Sequence, residues 1–250
     1  MTYCVGVLLR EGLVMASDSR THAGVDNVSQ FCKMTTFERA GDRVIVLLSS
    51  GTLSGTQAVV SLLRQRANLG EGMGEGMGEE MRTIWSVDTL FDVASLVANA
   101  MHDIKQRDAP FLEGTDMTFN VSFILGGQIK GESPRLFRID TEGNFIEAGE
   151  DTPFLQIGES KYGKPLIDRV ITPATSLQEA SKCVLVSFDS TMRSNLLVGM
   201  PIDLLCYERN SLTITKRRRF PEGDSYFTNL SARWSAGVRQ AFRELPELEW

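Results

Sequence analysis

The residues best placed for chemistry open the chain, where Met1 is followed by Thr2. Initiator methionine is normally removed ahead of a small residue, so the mature chain is expected to begin with a free threonine. A hydroxyl beside its own α-amine supplies a nucleophile and a base in one residue, because that amine titrates at about pH 8 and reaches the hydroxyl proton. Many ordinary chains begin Met-Thr, so the dipeptide gains meaning only from its company. Asp18 stands inside Ser17-Asp18-Ser19-Arg20, and Lys33 follows it. A lysine ammonium beside the threonine hydroxyl favours its alkoxide-like form, and an aspartate keeps that lysine charged and oriented. Taken singly, Asp18 and Lys33 are ordinary surface charges; with Thr2 they form a set that can move a proton.

Other chemistries lack a signature. The two histidines, His22 in a polar loop and His102 on a helix, are not accompanied by a G-x-S-x-G elbow, and no P-loop or paired-carboxylate pattern occurs. Cys4, Cys32, Cys183 and Cys206 are scattered, without a CxxC or a neighbouring histidine. We therefore expect no metal and no cofactor, and read the cysteines as buried free thiols of a reducing cytosol.

The elements that must position Thr2, Asp18 and Lys33 can be read from hydrophobic periodicity. Residues 3–9 and 13–17 form two strands around the turn Arg10-Glu11-Gly12, a hairpin that returns Asp18 to the side of Thr2. Residues 31–36 form an adjacent strand able to present Lys33 to both. After a strand at 43–49, Ser50-Gly51-Thr52 turns with glycine into a helix at 54–69. A second helix is expected at 87–107, strands at 118–125, 134–139, 144–147 and 154–157, and helices at 161–169 and 177–194. Strands at 202–207 and 212–215 and a polar helix at 227–245 complete the chain. Residues 70–81, a duplication of Gly-Glu-Gly-Met, read as a loop. Hairpins grouped between pairs of helices imply an α+β fold, a four-layer αββα sandwich of two antiparallel sheets between helical layers.

The 250 residues are 42% hydrophobic and 23% charged, an ordinary globular balance for one domain. A net charge of −6 does not suit phosphate neutralisation, so no nucleic-acid partner is expected. The basic run Lys216-Arg217-Arg218-Arg219 stands alone, without interleaved aromatics, and reads as a solvated strand end or turn. The apolar stretch at 5–9 is too short for a signal peptide or a membrane span.

At Thr2, Ser17-Asp18-Ser19-Arg20, Lys33 and Ser49-Ser50-Gly51-Thr52 the sequence resembles the proteasome-type peptidases, N-terminal nucleophile hydrolases with a catalytic threonine. It is most similar to their bacterial Anbu branch, the ancestral beta subunit. That likeness continues in Ala23-Gly24-Val25-Asp26, Lys33-Met34-Thr35, Phe37-Glu38, in the run from Gly158 to Lys164, in the run from Met192 to Leu196, and in Val198-Gly199. The resemblance implies Thr2, Asp18 and Lys33 as catalytic, Arg20 as supporting, and the Gly51 N–H as oxyanion donor. It also implies a pocket lined by the uncharged Thr21, Phe31, Thr35 and Ser49, suited to a neutral or apolar side chain. Two departures stand out. Gly158-Glu159-Ser160 replaces the family's Gly-Ser-Gly, leaving Ser160 as the substitute hydroxyl. In Thr191-Met192-Arg193-Ser194 the family's aspartate is replaced by Thr191, with Ser194 retained and Asp189 as compensator. The implied partners are a peptide or unfolded-protein substrate, copies of the same chain in rings or open helical turns, and a cap or regulator. Two other functions fit the same residues: hydrolysis of small-molecule amides, and a catalytically silent assembly role. In proteasomes the silent subunits carry a helix ahead of the first strand, whereas this sequence opens on a strand.

Overall fold

Two strands of alternating apolar residues begin the structure, a computed structural model that describes residues 1–22, 28–72, 82–112 and 118–250. β1 (Tyr3–Leu9) and β2 (Gly12–Asp18) pair antiparallel as expected, with Cys4 opposite Ser17. A short ribbon, β3 (Arg20–His22) with β4 (Val28–Gln30), follows, so His22 ends a strand. The Ala23-Gly24-Val25-Asp26 string and residues 73–81 of the Gly-Glu-Gly-Met duplication lie outside the described residues.

β5 (Met34–Arg39) and β6 (Arg43–Gly51) lead into α1 (Leu53–Gly72) and α2 (Leu90–Leu112). β7 (Val121–Ile129), β8 (Arg135–Ile139), β9 (Phe145–Glu147) and β10 (Phe154–Gly158) precede α3 (Lys164–Val170) and α4 (Leu177–Ser194). β11 (Ile202–Glu208), β12 (Lys216–Phe220) and α5 (Ser225–Arg243) close the order. One antiparallel sheet runs β10-β1-β2-β11-β12, the other β5-β6-β7-β8-β9.

Both faces of the inner strands are buried, and their side chains alternate between two cores. Along β2, Leu13 and Met15 face the second sheet, while Val14 and Ala16 face α4. Along β6, Val44, Val46 and Leu48 enter the same inter-sheet core, while Ile45 and Leu47 pack with Val93 and Val97 of α2. The order of layers is therefore helices, sheet, sheet, helices. Each such buried side chain contributes about 1.5–3 kcal/mol, enough to fix strand register, since a one-residue slip would exchange the two cores.

Three expectations need correction. Lys33 precedes β5 rather than lying within a strand, and β5 belongs to the sheet facing the β1–β2 hairpin. The last strand is the basic run itself: Cys206 pairs with Lys216 and Ile202 with Phe220, whereas residues 212–215 form the connection, starting from Asn210 and Leu212 at positive φ. The run is exposed on the sheet edge, where charge discourages pairing with other strands, and Lys216 and Arg218 are neutralised by Glu208 and Asp224. Finally, Cys4 and Cys183 are buried, but Cys206 is half-buried and Cys32 exposed.

Candidate active site

Thr2 is held from two sides before β1 begins. Its carbonyl accepts the Glu159 N–H at 2.7 Å, and the next residue, Tyr3, donates its N–H to Asp18 Oδ1 at 3.1 Å. Tyr3 also lies opposite Gly158 in the β1–β10 ladder. Gly158 has φ +79°, and a Cβ there would stand 2.0 Å from the Thr2 carbonyl oxygen, so the close approach requires glycine. Thr2 is only 7% exposed.

The hairpin register returns Asp18 to this point, and the ends of the two sheets converge to bring Lys33 there from the other. Lys33 Nζ donates to Asp18 Oδ1 at 2.7 Å and to the Arg20 carbonyl at 2.6 Å. Asp18 is fully buried and Lys33 is 7% exposed. Burial pushes the Asp18 carboxyl above its ordinary value, and Lys33 together with the Tyr3 N–H acts against that rise. Asp18 Oδ2 has no hydrogen-bond partner among the described residues, nor do Ser17 Oγ and Thr21 Oγ1. Met1 still precedes Thr2, so the nitrogen beside the threonine hydroxyl is a peptide nitrogen and the free amine belongs to Met1. Burial, and then the Lys33 charge, lower that amine below its ordinary value, while Asp18 and Glu159 act in the opposite sense.

Gly51 is the last residue of β6, two positions ahead of α1. Its φ of +110° and the 1.9 Å separation between a Cβ built there and the Asn120 carbonyl oxygen leave room only for glycine. Arg20 donates from Nη1 to the Leu196 carbonyl at 3.0 Å, tying the Asp18 segment to the loop after α4. Among the pocket candidates, Ser49 bonds the Lys33 carbonyl through its N–H at 2.9 Å and its hydroxyl at 3.3 Å. Phe31 is exposed and its N–H reaches the Ser19 carbonyl at 2.9 Å. Thr21 and Thr35 are half-buried.

The supporting residues behave differently. Ser160 is half-buried beside Thr2's neighbour Glu159. The Thr191 hydroxyl is buried and donates back to the Ser187 carbonyl of its own helix at 2.8 Å. Ser194 is exposed on the last turn of α4. Asp189, the candidate compensator, is engaged by the helical layer: its Oδ1 accepts from Ser231 of α5 at 2.6 Å and its Oδ2 from Arg193 of its own helix at 3.1 Å. His102 is exposed and pairs with Gln106 along its own helix.

Glu159 entered the sequence reading only as a departure from the family pattern, and Asp203 escaped it altogether. Glu159 is buried and accepts from Asn195 Nδ2 at 2.8 Å, with Lys161 Nζ at 3.6 Å. Asp203, 2% exposed, accepts from Ser19 Oγ at 2.9 Å and from Arg219 Nη1 at 3.1 Å. Its signal was a single carboxylate in the otherwise apolar run from Ile202 to Tyr207, where a charge needs partners.

Comparison with known proteins places the chain in a family. The family model "Proteasome subunit" matches residues 2–205. Proteasome subunit beta 2 of Pyrococcus furiosus is 30% identical over 167 residues, covering 64% of this chain and 69% of that one. Among solved structures, an Anbu (Gly-1) mutant from Hyphomicrobium sp. strain MC1 is 47% identical with a TM-score of 0.91, each chain covered fully. The helical assembly of the Anbu complex from Pseudomonas aeruginosa is 44% identical with a TM-score of 0.90, covering 99% of this chain and 98% of that one. With residues 2–205 matched, from Thr2 to the strand that carries Asp203, the chain belongs to the proteasome-subunit family.

Proposed function

We propose that the chain is a threonine peptidase in which Thr2, exposed by removal of Met1, is the nucleophile. The observation that carries this reading is the buried Lys33–Asp18 pair at 2.7 Å, set against the residue that follows Thr2. A buried ion pair is weak support for stability but suits a site that must hold a cation in one place.

In the first step the Thr2 amine takes the hydroxyl proton while the oxygen attacks a peptide carbonyl, with the Lys33 ammonium favouring the developing alkoxide. The Gly51 N–H receives the oxyanion, a role in which one donor is typically worth about 3 kcal/mol in the barrier. Collapse breaks the C–N bond, the amine's proton goes to the leaving nitrogen, and an ester to Thr2 remains. Water, deprotonated by the same amine, then hydrolyses the ester and restores the hydroxyl. Thr21, Phe31, Thr35 and Ser49 carry no charge and suit a neutral or apolar side chain before the cleaved bond. Ser160 and Arg20 take supporting roles, Arg20 by fixing the segment that presents Asp18.

The substrate is a peptide or unfolded protein, and the working form is a homo-oligomer, a reading supported by the helical assembly named for the Pseudomonas relative. No helix among the described residues is long and apolar enough to cross a membrane. The experiment is peptide turnover by the purified chain and by Thr2→Ala. The expected result is a loss of about 10⁴-fold or more in the variant, with its thermal midpoint unchanged. Turnover by Thr2→Ala at the parent rate would refute the mechanism.

A further inference from the structure

We propose that Asp203 is a positioning residue for this site, a buried carboxylate that clamps together the two chain segments carrying Asp18 and Lys33. The inference rests on the Thr2 reading for its effect on rate but on independent contacts for its geometry. Asp203 lies on β11 in one cross-strand row, opposite Ser17 of β2 on one side and Arg219 of β12 on the other. Neighbours in such a row share a face of the sheet.

Its two oxygens gather donors from three places. Oδ2 accepts from Ser19 Oγ at 2.9 Å, from Arg219 Nη1 at 3.1 Å and from Cys32 Sγ at 3.4 Å. Oδ1 accepts from Arg219 Nη1 at 3.3 Å. Ser19 is fully buried and stands between Asp18, which holds Lys33 Nζ, and Arg20, whose carbonyl holds the same Nζ. Cys32 is the residue before Lys33. The carboxylate thus fastens the segment immediately after Asp18 through Ser19 and reaches the segment immediately before Lys33 through the Cys32 thiol, whose one hydrogen is shared with the Met34 carbonyl at 3.3 Å.

Those segments come from opposite sheets, and the backbone joins them at this level through the Phe31 N–H to the Ser19 carbonyl at 2.9 Å. The Lys33 backbone is held on its β6 side by Ser49, whose N–H and hydroxyl bond its carbonyl at 2.9 and 3.3 Å, and the Cys32 thiol adds a hold on the residue before it. Arg219 explains why the charge on Asp203 is tolerated at 2% exposure: its guanidinium reaches in from the sheet edge and balances it. Of the four side chains of the basic run, Arg219 thus reaches the buried Asp203 while staying 43% exposed, and Lys216 and Arg218 pair with Glu208 and Asp224.

The test combines kinetics with amide hydrogen exchange on the full chain, using Asp203→Asn, Ser19→Ala, their double variant, and Arg217→Gln as an exposed control on β12. If Asp203 positions Lys33, each single variant lowers kcat about tenfold with KM within about twofold. The double variant then loses no more than the stronger single, because the two residues act through one contact. Exchange rises together in residues 17–22 and 28–36, and Arg217→Gln changes neither quantity. Parent-level kcat in both single variants, a loss carried by KM, or a rise confined to one segment would overturn the proposal. Should Asp203→Asn fail to fold, Ser19→Ala carries the same readouts. If the parent itself shows no peptide turnover, the Thr2 reading fails, and exchange alone decides the clamp: a joint rise in both segments sustains it, unchanged exchange refutes it.

Discussion

The place where residues 17–20 meet Lys33 and the last turn of α4 were both expected to serve Thr2, yet they are built in opposite ways. At the first, buried polar groups from two sheets converge: Asp18 and Lys33 pair at 2.7 Å, and the Arg20 carbonyl accepts a second of the ammonium's three N–H groups at 2.6 Å. At the second, the polar side chains are used within the helical layer. Thr191 bonds its own helix, Asp189 joins α4 to α5, and Ser194 faces solvent. The first place holds a buried cation and its counter-charge beside Thr2, the arrangement that proton transfer would need; the second spends its polar groups on contacts within and between helices, although Asp189 there is buried as well.

The sharpest way to break this contrast is Lys33→Met. It removes the cation and leaves Asp18 buried without its partner, so peptide turnover should fall by about 10³-fold, and urea unfolding should show a loss of about 3 kcal/mol. A variant that keeps parental turnover would move the chemistry elsewhere. Next in size is Gly51→Ala. Its φ of +110° and the Asn120 carbonyl at 1.9 Å force the turn to shift, which should cost about 2–3 kcal/mol and about 10²-fold in turnover.

A smaller but diagnostic effect concerns pH. Burial and then the Lys33 charge lower the Met1 amine from its ordinary value of 8.0; in the processed chain the free amine is instead that of Thr2, itself 7% exposed and next to the residue whose N–H binds Asp18. The amine acts as a base when unprotonated, so lowering it moves the rising limb of the rate profile to more acidic pH. If burial and the Lys33 charge act on the Thr2 amine in the same sense, the kcat/KM profile of the processed chain should climb through a midpoint below the ordinary α-amine value of about 8, and a midpoint above it would contradict the account. At the other end of the scale, Ser194→Ala and Asp189→Asn should leave kcat/KM within about twofold, since neither side chain bonds a residue of the Thr2 cluster. A tenfold loss from Ser194→Ala would restore α4 to the site.

Much of this was legible in the sequence because strands of alternating or continuous apolar residues fix their own register. The Tyr3-to-Asp18 hairpin follows from local periodicity and the glycine turn, and it puts Asp18 beside Thr2 without any tertiary knowledge. α4 is bounded as its pattern predicts because Ser176 and Glu179 form a reciprocal cap. Lys33 was assigned to the right neighbourhood on the wrong grounds: it arrives from the facing sheet, a long-range relation that periodicity does not encode. The basic run hid a strand, since four consecutive charges carry no apolar alternation, and only pairing with β11 defines it. The direction of Asp189 was equally invisible, because α5 had to be docked before Ser231 could meet it.

The central claim is that Thr2 becomes a competent N-terminal nucleophile. Its most direct test is the intact mass of the purified protein after incubation with a peptide epoxyketone, which reacts with a free α-amine and the hydroxyl beside it. The account predicts loss of the Met1 mass and one adduct per chain, with no adduct on Thr2→Ala. A retained Met1, a processed chain that takes up no reagent, or an adduct that persists in Thr2→Ala would contradict it.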